Sequence, residues 1–124
     1  MIKARKTDLQ TLQILTQRAD FAAANKRAKK WVSHGLVLQV LPNDISALRV
    51  GYTVTKKTDK SAVKRNRIKR RLRAAAADVL PFEAQSGYDY ILIGRHGTAT
   101  RPYQTLLKDL RWCLKKLERR IDAS

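Results

Sequence analysis

Ser61-Ala62-Val63-Lys64-Arg65-Asn66-Arg67-Ile68-Lys69-Arg70-Arg71-Leu72-Arg73-Ala74-Ala75-Ala76-Ala77-Asp78-Val79 holds a face that must be buried and a face that cannot be. At about 100° per residue, Ile68, Leu72, Ala75 and Val79 fall within one narrow arc. Asn66, Lys69, Arg70 and Arg73 fall opposite, with Arg65 and Arg67 on the flanks. The spacing predicts a helix from Ser61, whose hydroxyl can cap an unpaired N–H, to about Val79, with Pro81 breaking it. Such a helix needs a sheet or another helix under its apolar stripe.

The flanking segments supply that partner. On the N-terminal side, Leu48 to Thr55 alternates, with Leu48, Val50, Tyr52 and Val54 on one face and Arg49, Gly51, Thr53 and Thr55 on a polar one. Leu36-Val37-Leu38-Gln39-Val40-Leu41, closed by Pro42-Asn43-Asp44, reads as an earlier strand. On the C-terminal side, Tyr88 to Ile93 follows Gly87 as another strand, and Gly94 and Gly97 mark a loop. Pro102 then opens a last helix in which Tyr103, Leu106, Leu107, Leu110, Cys113, Leu114, Leu117 and Ile121 recur at helical spacing. Near the start, Ala22-Ala23-Ala24, with Asp20 before and Lys26, Arg27, Lys29 and Lys30 after, favours a helix from about Gln17 to Lys30. Residues 1–16, with Leu9, Leu12, Ile14 and Leu15, fit a short helix or an extended segment, and about 1–12 are expected to form a flexible arm. This order argues for an α+β or α/β sandwich, helices covering one face of a small sheet, in a single domain over residues 1–124.

Composition narrows the partner. Among 124 residues, 27 Lys and Arg oppose 10 Asp and Glu, a formal charge of +17. That exceeds what solubility requires and points to a polyanion. The charges are spread along the chain, not gathered beside a lipid-facing stripe, so nucleic acid is favoured over a membrane surface. Cys113, the single cysteine, excludes an intramolecular disulfide and a thiolate cluster, and among leucines it reads as a small buried hydrophobe. No apolar block of signal-peptide length follows the basic N-terminus, and a reducing, cytoplasmic setting is expected.

The densest basic run, Lys64 to Arg73, has seven positive charges in ten residues. Like charges at i, i+3 and i+4 repel by roughly a few tenths of a kcal/mol per pair, which a bound polyanion would offset. Arginine predominates, and its planar fork contacts phosphate with two parallel hydrogen bonds and stacks on bases. Hydrolysis by the chain itself would need a convergent base, acid or metal cluster. His34 and His96 lack metal-ligand spacing, and Asp8, Asp20, Asp44, Asp59, Asp78, Asp89, Asp109 and Asp122 are scattered, each better read as a cap, turn or surface partner. No catalytic residue and no metal ligand is assigned.

Arg65-Asn66-Arg67-Ile68-Lys69-Arg70, preceded by Ala62-Val63, resembles the RNR signature of the bacterial ribonuclease P protein component. The resemblance continues through Leu48-Arg49-Val50-Gly51-Tyr52-Thr53-Val54-Thr55-Lys56-Lys57, Arg18-Ala19-Asp20-Phe21 and Tyr88 to Arg95, covering roughly residues 10–117. It implies an α+β fold of order α-β-β(-β)-α-β-α with a left-handed βαβ crossover, an exception to the usual hand. It also implies an accessory subunit: the partner catalytic RNA, with its Mg2+, removes the 5′ leader of precursor tRNA, and no further protein partner is required. By the same resemblance Arg65, Asn66, Arg67, Lys69 and Arg70, with Arg73 next on the exposed face, would contact the catalytic RNA. Phe21 and Lys56 or Lys57 would line a cleft for the single-stranded leader, where bases stack on aromatics within a basic groove.

The sequence departs from the family at Asn25 and Gln39, where aromatics are found in other members, at Asp59, where glycine is common, and at Ala74 and Ala76. A ribosomal protein would share the size, charge and basic helix. A DNA-binding domain reading a groove through residues 61–77 would need a helix-turn-helix partner, against which the intervening strands argue.

Overall fold

A computed structural model describes residues 11–122, with side chains through Glu118. In chain order the elements are β1 (Leu12–Ile14), α1 (Arg18–Arg27), β2 (Lys29–Val32), β3 (Leu36–Pro42), β4 (Leu48–Thr53), α2 (Ala62–Glu83), β5 (Tyr88–Gly94), a 3-10 turn (His96–Ala99) and α3 (Tyr103–Asp122). The five strands form one mixed sheet in the order β1-β4-β5-β3-β2. β4 lies parallel to both β1 and β5, whereas β3 runs antiparallel to β5 and to β2. α2 is therefore the crossover of a βαβ unit whose strands are adjacent, with Val50 opposite Tyr90.

Strand alternation sorts the sheet into two buried faces. Leu36, Leu38, Val40, Leu48, Val50, Tyr90 and Leu92 pack with Ile68, Leu72, Ala75, Val79 and Leu80 of α2 and with Leu106, Leu110, Cys113 and Leu117 of α3. On the other face Leu15, Ala24, Leu41 and Ile91 form a smaller core that Phe21 and Ile93 complete. The sheet is thus covered on both sides, not on one, and the expected polar face of β4 lies under α1. Gly51 shows why no side chain is expected there: a Cβ would come within 2.8 Å of two Phe21 ring atoms. Burial raises the Cys113 thiol to about 11, in keeping with its reading as a core residue.

Two further differences from the sequence reading have local causes. The first helix stops at Arg27, the Ala28 N–H closing on the Ala24 carbonyl, and Lys29–Val32 turns into β2. There Trp31 stands opposite Leu38 and packs against the larger core, and the Ser33 hydroxyl and N–H both donate to the Leu36 carbonyl, so hairpin pairing overrides helix propensity. Pro81 does not break α2 but sits in its last turn. The helix loses one hydrogen bond there, yet Leu80 is fully buried and the Ala84 N–H reaches the Leu80 carbonyl at 2.9 Å, which hold the turn in place. Leu12 to Ile14 form an edge strand where the expected arm of about residues 1–12 ends, the extended one of the two readings of residues 1–16. Residues 1–10 of that arm, and the Ile121 side chain of the final stripe, lie outside the described residues. No described helix is long and apolar enough to cross a membrane.

Candidate nucleic-acid interface

Burial of Ile68, Leu72, Ala75, Ala76, Val79 and Leu80 fixes the rotation of α2 and so decides which of its cations face outward. Ser61 caps the helix, accepting from the Lys64 N–H at 3.3 Å. Lys64, Asn66, Arg67, Arg70 and Arg73 are exposed along the outer face. Arg65 and Arg71 have partners within the fold. Arg65 is half-buried and donates through Nη1 to the Asp59 and Lys60 carbonyls at 2.9 and 2.8 Å, strapping down the turn that leads into the helix. Asp59 belongs to the same turn, its carboxylate accepting from the Ser61 N–H at 2.9 Å. Arg71 points the other way and donates to the Arg101 backbone carbonyl. Arg65 therefore has a structural task alongside any contact with a ligand.

A groove of about 390 Å³ runs beside this face, lined by Thr16, Arg18, Phe21, Asn25, Tyr52, Thr53, Val54 and Lys69. Its origin is topological. β1 pairs with β4 only from Leu48 to Val50, and the Leu15 N–H bonds the Val50 carbonyl as the chain turns away. The end of β4 beyond that point is left without β1 alongside, and α1 and α2 rise on either side of it. Phe21 on α1 and Lys69 on α2, placed apart in the sequence reading, meet across this groove. Lys56 and Lys57 do not line it. They are exposed in the turn after β4, where the Thr58 N–H closes on Thr55 and the Thr58 hydroxyl reaches the Gly94 carbonyl.

One residue of the groove reads differently in sequence. Tyr52, assigned to the core face of β4, is only half-buried, and Arg73 stacks on it with its guanidinium carbon 5.6 Å from the ring centre. Burial raises the Tyr52 pKa, and the Arg73 charge works against that rise. The tyrosine at the strand's unpaired end was the available signal: alternation alone cannot show that β1 stops short of it. Asn25 and Gln39, both standing where the family has aromatics, contact each other, the Gln39 amide donating to Asn25 Oδ1 at 3.3 Å. The groove thus offers two aromatic rings, Phe21 and Tyr52, the neutral amide of Asn25 and the cations Arg18 and Lys69. That set suits an unpaired, negatively charged strand.

Because the Phe21 ring rests against Gly51, Gly51→Ala is expected to overpack the groove wall and destabilise the chain by about 1–2 kcal/mol. Urea denaturation checks this; an unchanged midpoint would mean that the ring shifts without resistance.

Several carboxylates of the fold are engaged with cations or a hydroxyl. Arg49 bridges Asp89 and Asp20, Arg101 pairs with Asp109, Arg111 with Glu83, and Tyr103 donates to Asp78. Among the described residues no three His, Cys, Asp or Glu side chains gather in a way that could hold a metal ion.

Comparison with known proteins gives the family and supports the fold. The family described as Ribonuclease P matches residues 9–118. The ribonuclease P protein component of Paramagnetospirillum magneticum is 48% identical over 111 residues, covering 86% of this chain and 83% of that protein. The one from Ruegeria pomeroyi is 44% identical over 110 residues, covering 86% of each. Among solved structures, the Staphylococcus aureus RNase P protein superposes with a TM-score of 0.70 at 27% identity, over 84% of this chain and 94% of that one. The Thermotoga maritima RNase P protein shares the fold, with a TM-score of 0.71 over 84% and 96% of the two chains. With a match that spans all but the ends of the sequence and a basic helix and groove where the signature residues fall, the chain belongs to the family of the bacterial ribonuclease P protein component.

Proposed function

We propose that this chain is the protein subunit of ribonuclease P, binding the catalytic RNA along the outer face of α2 and the 5′ leader of precursor tRNA in the groove between α1 and α2. The observation that carries the reading is the placement of Phe21, Tyr52 and Lys69 around one groove whose α2 wall continues into the exposed Asn66, Arg67, Arg70 and Arg73. One surface can then hold a structured RNA through its phosphates while a single strand lies alongside. Lys56 and Lys57, beyond the Val54 end of the groove, would extend the basic track for the leader, and Arg65 would act chiefly by holding the start of α2 in position. Hydrolysis belongs to the RNA and its Mg2+, in the cytoplasm, and the chain's part is to lower the repulsion between two polyanions and to orient the leader.

The test is leader removal from a precursor tRNA at low magnesium with catalytic RNA alone, chain alone and both together. Cleavage is expected only, or far faster, with both. Cleavage by the chain alone would mean a catalytic site in the protein, and no effect in any mixture would favour an RNA-binding protein of another kind.

A further inference from the structure

On the side of the molecule where α3 meets the β2–β3 hairpin, a second pocket of about 370 Å³ is lined by Val32, Ser33, His34, Arg95, Asp109 and Trp112. Trp112 is 45% exposed and Val32 49% exposed, and the two share the wall of this one pocket. The Trp112 ring is held from behind: it meets Trp31 edge-to-face with centroids 5.6 Å apart, and Lys116 Nζ lies 5.9 Å from its centre. Arg95 is held at the rim by a 2.6 Å bond from Nη1 to the Ser33 carbonyl, which leaves guanidinium donors for another acceptor. His34 stands exposed beside it. The single acid of the pocket, Asp109, is bound on both oxygens by Arg101. What remains is an aromatic surface with uncompensated positive charge around it.

The pocket is joined to the α2 face. Arg71 on α2 donates to the backbone carbonyl of Arg101, and the Arg101 side chain holds Asp109 at the pocket wall. The 3-10 turn between them is tied to the hairpin by the Thr98 hydroxyl, which donates to the Gly35 carbonyl at 2.5 Å. An RNA lying on α2 could reach this pocket by passing over residues 95–101.

We infer that this pocket is a second RNA contact, which takes one unpaired nucleotide of the RNA docked on α2, the base against Trp112 and the phosphate on Arg95 and His34. An aromatic ring beside cations is the chemistry that recognises a nucleotide, and a paired acid removes the repulsion its phosphate would otherwise meet. The inference rests on the reading of the chain as an RNA-binding subunit.

The test uses the full chain with both tryptophans replaced by 5-fluorotryptophan, so that the Trp112 fluorine signal is followed separately from that of Trp31 without any mutation. Catalytic RNA and, separately, a five-nucleotide oligoadenylate are the probes. Both are expected to shift the Trp112 signal, and Trp112→Leu is expected to weaken binding of the catalytic RNA about 5- to 100-fold, as for loss of one stacked base. Catalytic RNA bound at full strength with the Trp112 signal unmoved would overturn this site and leave the proposed function standing. No binding of catalytic RNA, with the oligoadenylate still shifting Trp112, would overturn the function and support the site. A Trp112 signal that moves with protein concentration in the absence of RNA would assign the pocket to a second copy of the chain and overturn the inference.

Discussion

Replacing Arg67 and Arg70 together with glutamine is expected to weaken binding of the catalytic RNA by about 10- to 100-fold while leaving the fold intact. Both side chains are exposed on α2, and neither makes a hydrogen bond or ion pair with the rest of the described chain. Their loss therefore removes contacts to phosphate without disturbing a core. Each phosphate contact releases condensed counterions, so the slope of log affinity against log salt should fall by roughly 0.7 to 0.9 per arginine. The measurement is a binding titration at several salt concentrations, with circular dichroism to show that α2 persists. Weaker binding with an unchanged slope would mean that the arginines act through something other than phosphate, and unchanged binding would move the interface off this helix. Arg65 is a poor choice for the same experiment. Its guanidinium holds the Asp59 and Lys60 carbonyls, so its removal would loosen the turn before α2 and mix a structural loss with a binding loss.

The second large effect is expected far from the basic ridge. Asp89→Asn should destabilise the chain by about 2–3 kcal/mol, lowering Tm by roughly 6–15 °C. Asp89 is 3% exposed, and Arg49 and Asn43 converge on its carboxylate. Arg49, directly opposite on β4, donates to both oxygens at 2.7 and 2.6 Å, and the Asn43 amide donates to one of them at 2.9 Å. The hydrogen bond to Asp89 is also the leading cause of the raised Arg49 pKa. An asparagine would turn an N–H group toward one of these donors and leave the arginine charge uncompensated on that side. The estimate lies below the usual figure for a fully buried pair because Arg49 is partly open to solvent and keeps Asp20 at 3.7 Å. Thermal unfolding decides the matter, with the Arg49→Gln/Asp89→Asn double variant as control: it should recover part of the loss, since the unpaired charge is gone. Wild-type stability in the single variant would show the pair to be energetically neutral. Because the same arginine reaches Asp20 on α1, the variant should also loosen the helix that carries Phe21.

Much of this was legible without coordinates. The buried stripe of α2, its Ser61 cap, the alternation of β4 and the apolar run of β5 are local patterns, and each is decided by whether neighbouring side chains can share one surface. The stripe also set Asn66, Arg70 and Arg73 outward, whereas Lys69, expected beside them, is half-buried in the groove wall. The resemblance named Phe21 and the signature residues, which the structure sets on α1 and α2. Other features depend on which segments meet. Lys29–Val32 has the charge of a helix end and becomes a strand because β3 offers it a partner. Asp89 reads as a surface carboxylate until β4 and β5 set Arg49 opposite it.

Propensity, period and charge act over a few residues, and they suffice to require a basic chain, a small α+β domain and an arginine-rich face on α2. The assembled fold alone shows that α1 closes the second face of the sheet, that β1 ends early enough to open a groove at Tyr52, and that Phe21 and Lys69 share that groove. It also decided that Arg65 and Arg71 hold backbone carbonyls, so that they differ from Arg67 and Arg70. These are consequences of strand order and helix placement, which bring together residues separated by tens of positions, and no local pattern records where a neighbouring strand will stop.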